Sequence, residues 1–191
     1  MNTKPPKSIV CFASGTGSLF SYVAQAIQHR LPIQIAALIS DQKDSGVIQI
    51  AKKYQIPVHI FSEWDKNHRE KTCEAITRQC DQLRPDLLVL LGFMQIFDSA
   101  FVKKWGHQTL NTHPSLLPAF KGAHGVKEAQ AARVQVTGTT VHLLSEAVDS
   151  GKILFQRPVL HLAADNESTL HERIKAVEKA QILHAIMQRL F

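Results

Sequence analysis

Short apolar runs alternate along this chain with longer segments of helical period, and this alternation is the strongest constraint on the fold. The run from Leu87 to Leu91 has no polar interruption, which is typical of a strand buried on both faces of a parallel sheet. Further strands are predicted at 8–13, 33–39, 58–61, 108–111, 138–144 and 153–160. Helices are predicted at about 18–29, 44–54, 66–82, 98–104 and 122–132. The pattern predicts an α/β fold with a mostly parallel, twisted sheet flanked by helices in three α/β/α layers.

A long C-terminal helix is predicted by an apolar stripe at helical spacing. The stripe consists of Leu170, Ile174, Val177, Ile182 and Ile186. Thr169 and Glu172 have the spacing of a capping box, which places the start of the helix near Thr169. Glu178 interrupts the stripe, because it lies four residues after Ile174 and four before Ile182. The pattern alone favours a glutamate at the edge of the stripe, with its carboxylate in water.

Composition limits the class of protein. With 191 residues, 45% of them hydrophobic, the chain fits a single domain over 1–191. It has no run of about 18 apolar residues, and residues 1–7 lack the apolar core of a signal peptide. We therefore expect a cytoplasmic protein with no membrane contact. Cys11, Cys73 and Cys80 are odd in number and lack metal-ligand spacing, so reduced thiols are expected rather than disulfides.

The net charge of +6 raises the question of nucleic-acid binding. The 22 basic residues are scattered, and aromatic residues make up only 7% of the chain. Neither a phosphate-tracking stripe nor a stacking platform is visible, so no nucleic-acid partner is expected. A positive field also suits anionic small molecules, although a generally solvated surface explains the charge equally simply.

The segment 111–118, Asn-Thr-His-Pro-Ser-Leu-Leu-Pro, carries the chemistry. Two prolines disfavour a continuing helix or central strand, so we expect a rigid loop at a strand end. Asn111 and His113 are two residues apart, and on an extended segment both side chains leave from one face. An amide and an imidazole together can donate hydrogen bonds to the oxygen of a tetrahedral intermediate in acyl transfer. Asp149, if close, would favour the imidazolium form of His113. Each residue taken singly could equally be a capping residue.

A glycine loop follows the first predicted strand and opens the first helix. The backbone N–H groups of Gly15, Thr16, Gly17 and Ser18, together with the helix dipole, can bind a phosphate. A dinucleotide fingerprint would need a third glycine at Phe20, so a nicotinamide or flavin site is not expected. A simple tight turn is the alternative interpretation.

Taken together, these motifs resemble the glycinamide ribonucleotide formyltransferases, and the resemblance covers nearly the whole chain. Besides segments 14–18 and 111–118 it includes Leu91-Gly92-Phe93-Met94-Gln95-Ile96, Phe120-Lys121-Gly122, 137–142 and 149–154. The resemblance implies a Rossmann-like formyltransferase fold, with a phosphate-binding half at about 1–105 and a catalytic and folate-binding half at about 106–191. It implies transfer of a formyl group from 10-formyltetrahydrofolate, as cosubstrate, to the amine of 5'-phosphoribosylglycinamide in purine biosynthesis, without a metal.

Site residues follow from the same resemblance. The catalytic residues are Asn111, His113 and Asp149, and His124 and His142 have supporting roles. The residues expected to bind the ribonucleotide are Gly15, Thr16, Gly17, Ser18, Leu19 and Glu178. Those expected to bind the folate are Arg69, Met94, Gln95, Ile96, Phe97, Asn111 and Val148. Two of these depart from the family pattern: Leu19 replaces an asparagine, and Gln95 replaces an arginine.

Other functions remain open at this point. Formyltetrahydrofolate deformylase shares the Asn-x-His and Asp residues but hydrolyses the folate. Methionyl-tRNA and sugar-nucleotide formyltransferases share the Asn-x-His-x-Ser-Leu-Leu-Pro segment and act on other amines. A non-catalytic folate-binding or nucleotide-binding protein would not need the full set of Asn111, His113 and Asp149. The expected partners are small molecules only, and the protein is expected to be a monomer or a homodimer.

Overall fold

The computed structural model describes residues 5–65 and 67–191. The chain divides into two compact units, one ending at Thr109 and including Leu190, the other spanning Leu110–Arg189 and including Phe191. Lys66, the predicted first residue of the third helix, and the first four residues, part of the segment examined for a signal peptide, lie outside the described residues. No described helix has the length and apolar character needed to cross a membrane.

The first unit is a parallel β/α arrangement. Its elements are β1 (Lys7–Phe12), α1 (Ser18–Arg30), β2 (Ile33–Ser40), α2 (Gly46–Lys53), β3 (Val58–Ile60), α3 (Arg69–Leu83), β4 (Leu87–Leu90) and α4 (Ser99–Trp105), followed by a 3₁₀ turn (Gly106–Gln108). The strands lie in the order β3-β2-β1-β4, and each neighbouring pair is parallel. All four residues of β4 are buried, because helices cover both faces of such a sheet.

An aromatic cluster stabilises the end of this unit that follows β1 and β4. Phe12 makes edge-to-face contacts with Phe93 and Phe97, and Phe97 stacks on Phe101. Trp64 packs edge-on against Phe93 and Phe97. Such ring pairs add to the free energy of area burial. The cluster therefore fixes the backbone just before and just after Met94, Gln95 and Ile96.

The second unit is built on an antiparallel sheet. Its elements are β5 (Thr109–His113), α5 (Gly125–Ala131), β6 (Val136–Leu143), β7 (Ile153–Leu160) and α6 (Glu167–Leu190). The strand β6 pairs antiparallel with β5 on one side and β7 on the other. Leu170 and Ile174 of α6 pack with Val126 and Val159 in one apolar cluster, which explains the first part of the apolar stripe in the C-terminal sequence.

Every predicted strand and helix is present in the structure, with ends that differ by a few residues. Two details of the prediction are wrong. The capping box is formed by Asn166 and Thr169 rather than by Thr169 and Glu172: Asn166 Oδ1 accepts from Thr169 N, and Asn166 N donates to Thr169 Oγ1. Glu172 instead accepts from Lys175 Nζ at 2.8 Å. Both pairs of residues have the spacing of a capping box, and Asn166 is the N-cap because the helix begins at Glu167.

The second error concerns β5, which was expected to end at 111 but continues through His113. Asn111 and His113 therefore belong to the strand itself, and the loop begins at Pro114. Antiparallel pairing with β6 supplies the hydrogen bonds that extend β5.

The three cysteines are free and buried, as predicted. Burial raises the pKa of Cys73 to about 11 and that of Cys80 to about 12, and it raises the pKa of Cys11 further. These thiols therefore stay protonated and unreactive.

Candidate active site

Two neighbouring strands hold the polar residues of the candidate site. Asn111 and His113 are alternate residues of β5, so their side chains share one face of the sheet. In the antiparallel register Asn111 lies opposite His142, and His113 lies opposite Thr140. The face of β5 and β6 that carries these residues thus presents an amide and two imidazoles within a few ångströms of one another.

Asp149 completes this cluster from the loop between β6 and β7. Its Oδ2 atom lies 3.2 Å from His113 Nδ1, and its Oδ1 atom lies 3.5 Å from His142 Nε2. Gly122 N donates to Asp149 Oδ2 at 2.8 Å. Asp149 has a left-handed backbone, with φ of 49°, which aspartate tolerates better than most residues. The structure therefore brings together the three residues predicted to be catalytic.

The carboxylate of Asp149 is held in its ionised form. Burial alone would raise its pKa, but the neighbouring His142 and His113 and the hydrogen bond from the Gly122 N–H outweigh burial, so the pKa lies below its usual value. Asp149 thus carries a negative charge at neutral pH and stabilises a positive charge on a neighbouring imidazole.

Both ring nitrogens of His113 face oxygen acceptors. Nδ1 faces the Asp149 carboxylate, and Nε2 lies 2.7 Å from the carbonyl oxygen of Phe120. A neutral imidazole has one N–H and can donate to only one of them, whereas the imidazolium donates to both. The Phe120 carbonyl reaches His113 because Phe120 adopts φ of 54°. A Cβ at Gly125 would lie 2.7 Å from this carbonyl and 3.1 Å from His113 Nε2, so the arrangement requires glycine at 125.

His142 is bound more closely into the site than the sequence indicated. Its Nδ1 lies 2.9 Å from Leu143 O, and its Nε2 lies 3.1 Å from Asn111 Nδ2. Since a carbonyl only accepts, Nδ1 donates to Leu143 O, and in a ring with this single proton Nε2 accepts from the Asn111 amide. This leaves the second Nδ2 hydrogen of Asn111 available to a substrate. Only the register of β5 against β6 reveals this contact, and the sequence contains no signal for it.

The loop after His113 is held by buried and partly buried hydrogen bonds. Thr140 Oγ1 donates to Ser115 O and accepts from Leu117 N, and Gln156 Nε2 donates to Leu117 O. The Leu117–Pro118 peptide bond is cis. The expected rigidity of segment 114–118 thus has its cause in contacts with β6 and β7.

Glu178 does not join this cluster. Thr112 lies between Asn111 and His113, so its side chain leaves the opposite face of β5, where its Oγ1 donates to Glu178 Oε1 at 2.6 Å. Glu178 is only 5% exposed, so the expectation from pattern alone that its carboxylate reaches water is wrong. Burial raises its pKa, opposed by the Thr112 hydrogen bond and the charge of Lys175.

The glycine loop of the first unit connects β1 to α1. Gly17 has φ of 78°, and a Cβ there would lie 2.8 Å from Val47, so packing alone requires glycine at 17. Gly15 has no positive φ, and none of the described residues places an atom within 4 Å of its Cβ position. Neither backbone conformation nor packing therefore requires glycine at 15, and the open space would let a ligand approach the backbone. Leu19 is buried, so only its backbone can face a ligand.

The residues predicted to bind folate lie in different surroundings. Met94 and Ile96 are exposed large apolar side chains, whereas Phe97 is buried in the aromatic cluster. Gln95 is half-buried, and Arg69 is exposed at the first residue of α3. Val148, next to Asp149, is 47% exposed. The side chains of Met94, Ile96 and Val148 are thus open to a ligand, and that of Phe97 is not.

Comparison with known families agrees with this geometry. Residues 7–186 match the formyl transferase family, and the chain belongs to that family. The phosphoribosylglycinamide formyltransferase of Mycobacterium tuberculosis is 41% identical over 181 residues, which cover 95% of this chain and 84% of that protein. The enzyme of the same name from Bacillus subtilis is 31% identical, over 96% of this chain and 95% of that protein.

Solved structures extend the likeness to the whole fold. The crystal structure of glycinamide ribonucleotide transformylase 1 from Geobacillus kaustophilus superposes with a TM-score of 0.91 and 30% identity, over 97% of this chain and 100% of that one. Within the formyl transferases, the chain belongs with the phosphoribosylglycinamide formyltransferases. The predicted α/β fold and family are therefore confirmed.

Proposed function

We propose that this protein transfers the formyl group of 10-formyltetrahydrofolate to the amine of 5'-phosphoribosylglycinamide, giving formylglycinamide ribonucleotide and tetrahydrofolate in purine biosynthesis. One observation carries the proposal: Asn111, His113 and Asp149 converge in a chain of this family. Acyl transfer to an amine needs a hydrogen-bond donor for the developing oxyanion and a group that transfers protons. An amide can be the donor, and an imidazole paired with a carboxylate can transfer protons. The reaction proposed here uses no metal.

In the first step the glycinamide amine attacks the formyl carbon, which forms a C–N bond and moves charge onto the formyl oxygen. The second Nδ2 hydrogen of Asn111 donates to that oxygen, while His142 fixes the amide through the first. Stabilising charge with a preorganised donor lowers the barrier without reorganisation during the reaction. His113 can add a second donor by exchanging Phe120 O for the substrate oxygen at Nε2.

Collapse of the intermediate breaks the bond between the formyl carbon and N10 of the folate. The amine must lose one proton, and N10 must gain one. His113, supported as an imidazolium by Asp149, supplies a proton to N10 directly or through a water, and the proton of the amine returns to the imidazole. Atoms and charges then balance without any other reactant.

The remaining contacts extend this proposal. The backbone of Gly15 to Ser18, at the N-terminus of α1, binds the phosphate of the ribonucleotide. The exposed side chains of Met94, Ile96 and Val148 pack against the pterin, and Arg69 attracts the folate carboxylates. Contact of Glu178 with the ribonucleotide stays a prediction, as do the cytoplasmic location and the monomeric or dimeric state.

The deciding experiment measures tetrahydrofolate released from 10-formyltetrahydrofolate by the purified protein, with and without 5'-phosphoribosylglycinamide. Turnover that requires this acceptor and yields its formylated product is the expected result. Release of free formate without an acceptor would show a deformylase instead. Turnover only with a different amine would contradict the proposed substrate and keep the class of reaction.

A further inference from the structure

A short segment of the first unit exposes two large apolar side chains without forming a helix or strand. Met94 is 61% and Ile96 is 53% exposed, while Phe93 and Phe97 on either side are buried in the aromatic cluster. Exposed apolar side chains on a loop lower the free energy of the protein by turning inward, unless the backbone is held in place. The contacts that hold Met94 and Ile96 outward therefore matter for any ligand that packs on them.

Gln95, between these two residues, is tied inward to a buried carboxylate. Gln95 Nε2 donates to Asp41 Oδ2 at 2.7 Å. Asp41 follows the last residue of β2 and is 3% exposed. A hydrogen bond from an amide to a buried carboxylate is stronger than one between neutral groups. It links positions 54 residues apart in the chain, so the side chain of Gln95 cannot rotate outward without breaking it.

The carboxylate of Asp41 uses only part of its capacity to accept hydrogen bonds. Its Oδ1 atom is buried and has no hydrogen-bond partner within residues 5–65 and 67–191, which costs free energy. Its other contact is with its neighbour Gln42, whose Nε2 donates to the same Oδ2 atom at 3.1 Å. What Asp41 does provide is a fixed anchor for Gln95. A second anchor is Ser14, whose Oγ accepts from Met94 N at 3.1 Å.

We propose that Asp41 is a positioning residue for the folate cosubstrate, because it holds Gln95 inward and so keeps Met94 and Ile96 outward as one wall of the pterin site. This inference rests on the function proposed above. It also accounts for Gln95 in a position where arginine was expected, since a neutral amide donor reaches Asp41 and leaves the carboxylate charge in place.

A reciprocal exchange of donor and acceptor tests this role. In Gln95→Glu two carboxylates face each other, and the hydrogen bond between positions 41 and 95 is broken. In the double variant Asp41→Asn/Gln95→Glu, an amide at position 41 donates to a carboxylate at position 95. Asp41→Asn alone keeps an acceptor for Gln95. We expect Gln95→Glu to raise KM for 10-formyltetrahydrofolate about tenfold, the double variant to return it to within about twofold of wild type, and Asp41→Asn to change it less than about threefold. KM for 5'-phosphoribosylglycinamide should not change in any of them.

Gln42→Glu is the matched control, because it places the same new charge against the same Asp41 oxygen from outside the segment. Its KM should equal that of wild type. An equal rise in KM for Gln42→Glu and Gln95→Glu would overturn the proposal, because general repulsion at Asp41 would then be the cause. Failure of the double variant to recover, with all variants melting at the wild-type temperature, would also overturn it.

Hydrogen exchange measured by mass spectrometry on a peptide spanning 90–98, without substrate, separates this role from the proposed reaction. Gln95→Glu should speed exchange at Met94 N, and the double variant should restore protection. Exchange that is unchanged in Gln95→Glu would overturn the role of Asp41, whatever the enzyme does. Restored protection in a protein that transfers no formyl group would instead contradict the proposed function and leave the Asp41–Gln95 link established.

Discussion

Asn111 and His142 face each other across β5 and β6, with Asn111 Nδ2 3.1 Å from His142 Nε2. Because His142 Nδ1 is bound to Leu143 O, a ring with a single proton presents Nε2 as an acceptor to the amide and fixes its orientation. Asn111 therefore offers a donor in a set direction before a substrate arrives.

The first prediction follows from this pair. His142→Leu should lower kcat about 100-fold, the effect of losing one preorganised donor, with little change in KM for either substrate. His161→Leu is the matched control, since its Nδ1 also bonds to a backbone carbonyl, that of Val134, in the same unit. Steady-state kinetics of both variants test this prediction. An equal fall in kcat in His142→Leu and His161→Leu would show a structural effect only.

The second prediction concerns the charge of Asp149. Asp149→Asn keeps the left-handed backbone, which asparagine also tolerates, but removes the negative charge beside His113. We expect kcat to fall about 10²- to 10⁴-fold, the usual contribution of acid–base catalysis, while circular dichroism shows the wild-type fold. His113→Ala should lose a similar factor. Near wild-type turnover in either variant would reject the proposed roles.

The lowered pKa of Asp149 also leads us to expect that the stability of the fold depends on pH. Its pKa is lower in the folded protein than in the unfolded chain, so its ionised form stabilises the fold above the unfolded value of about 4. That contribution is lost as the pH falls through the folded pKa. The difference in free energy of unfolding between wild type and Asp149→Asn should therefore shrink below about pH 4. Urea titrations at several pH values measure it, and a difference that grew on acidification would contradict the assignment.

The third prediction tests the close approach at Gly125. Gly125→Ala places a methyl group against Phe120 O and His113 Nε2, so the imidazole must shift. Because a displacement of about 1 Å in a catalytic group costs about 100-fold in rate, kcat should fall by that order. The helix α5 should persist, since alanine favours helix more than glycine does. An unchanged kcat with an unchanged melting temperature would show that the site tolerates the shift.

The fourth prediction concerns Glu178, whose pKa is raised by burial. A raised pKa means that ionising this carboxyl destabilises the folded state, and the cost appears as the pH rises above the unfolded value of about 4.3. Glu178→Gln keeps an acceptor for Thr112 and removes the charge. Its melting temperature should exceed that of wild type by about 2 °C or more at pH 8 and match it near pH 4. The exposed Glu172→Gln is the control, and it should show no such gain at pH 8.

Local sequence patterns were sufficient for the elements of this fold. The uninterrupted apolar run of β4 and the apolar stripe of α6 indicate burial directly. The spacing of apolar residues distinguishes a strand from a helix, and the apolar face is the one that packs in the core. Where two local signals overlapped, the sequence could not choose between them. Asn166 and Thr169 compete with Thr169 and Glu172 for the capping box, and the choice depends on where α6 begins.

Residue order alone was enough to predict the fold class and the family, and to propose Asn111, His113 and Asp149 as catalytic residues, because local periodicity and motif spacing are properties of that order. Tertiary structure alone decided which groups those residues meet. The pairing register of β5 and β6 brings His142 to Asn111, the left-handed turn at Phe120 brings a carbonyl to His113, and the end of β2 brings Asp41 to Gln95. These contacts join positions far apart in the chain, and their distances depend on strand register and backbone conformation, which no local pattern encodes.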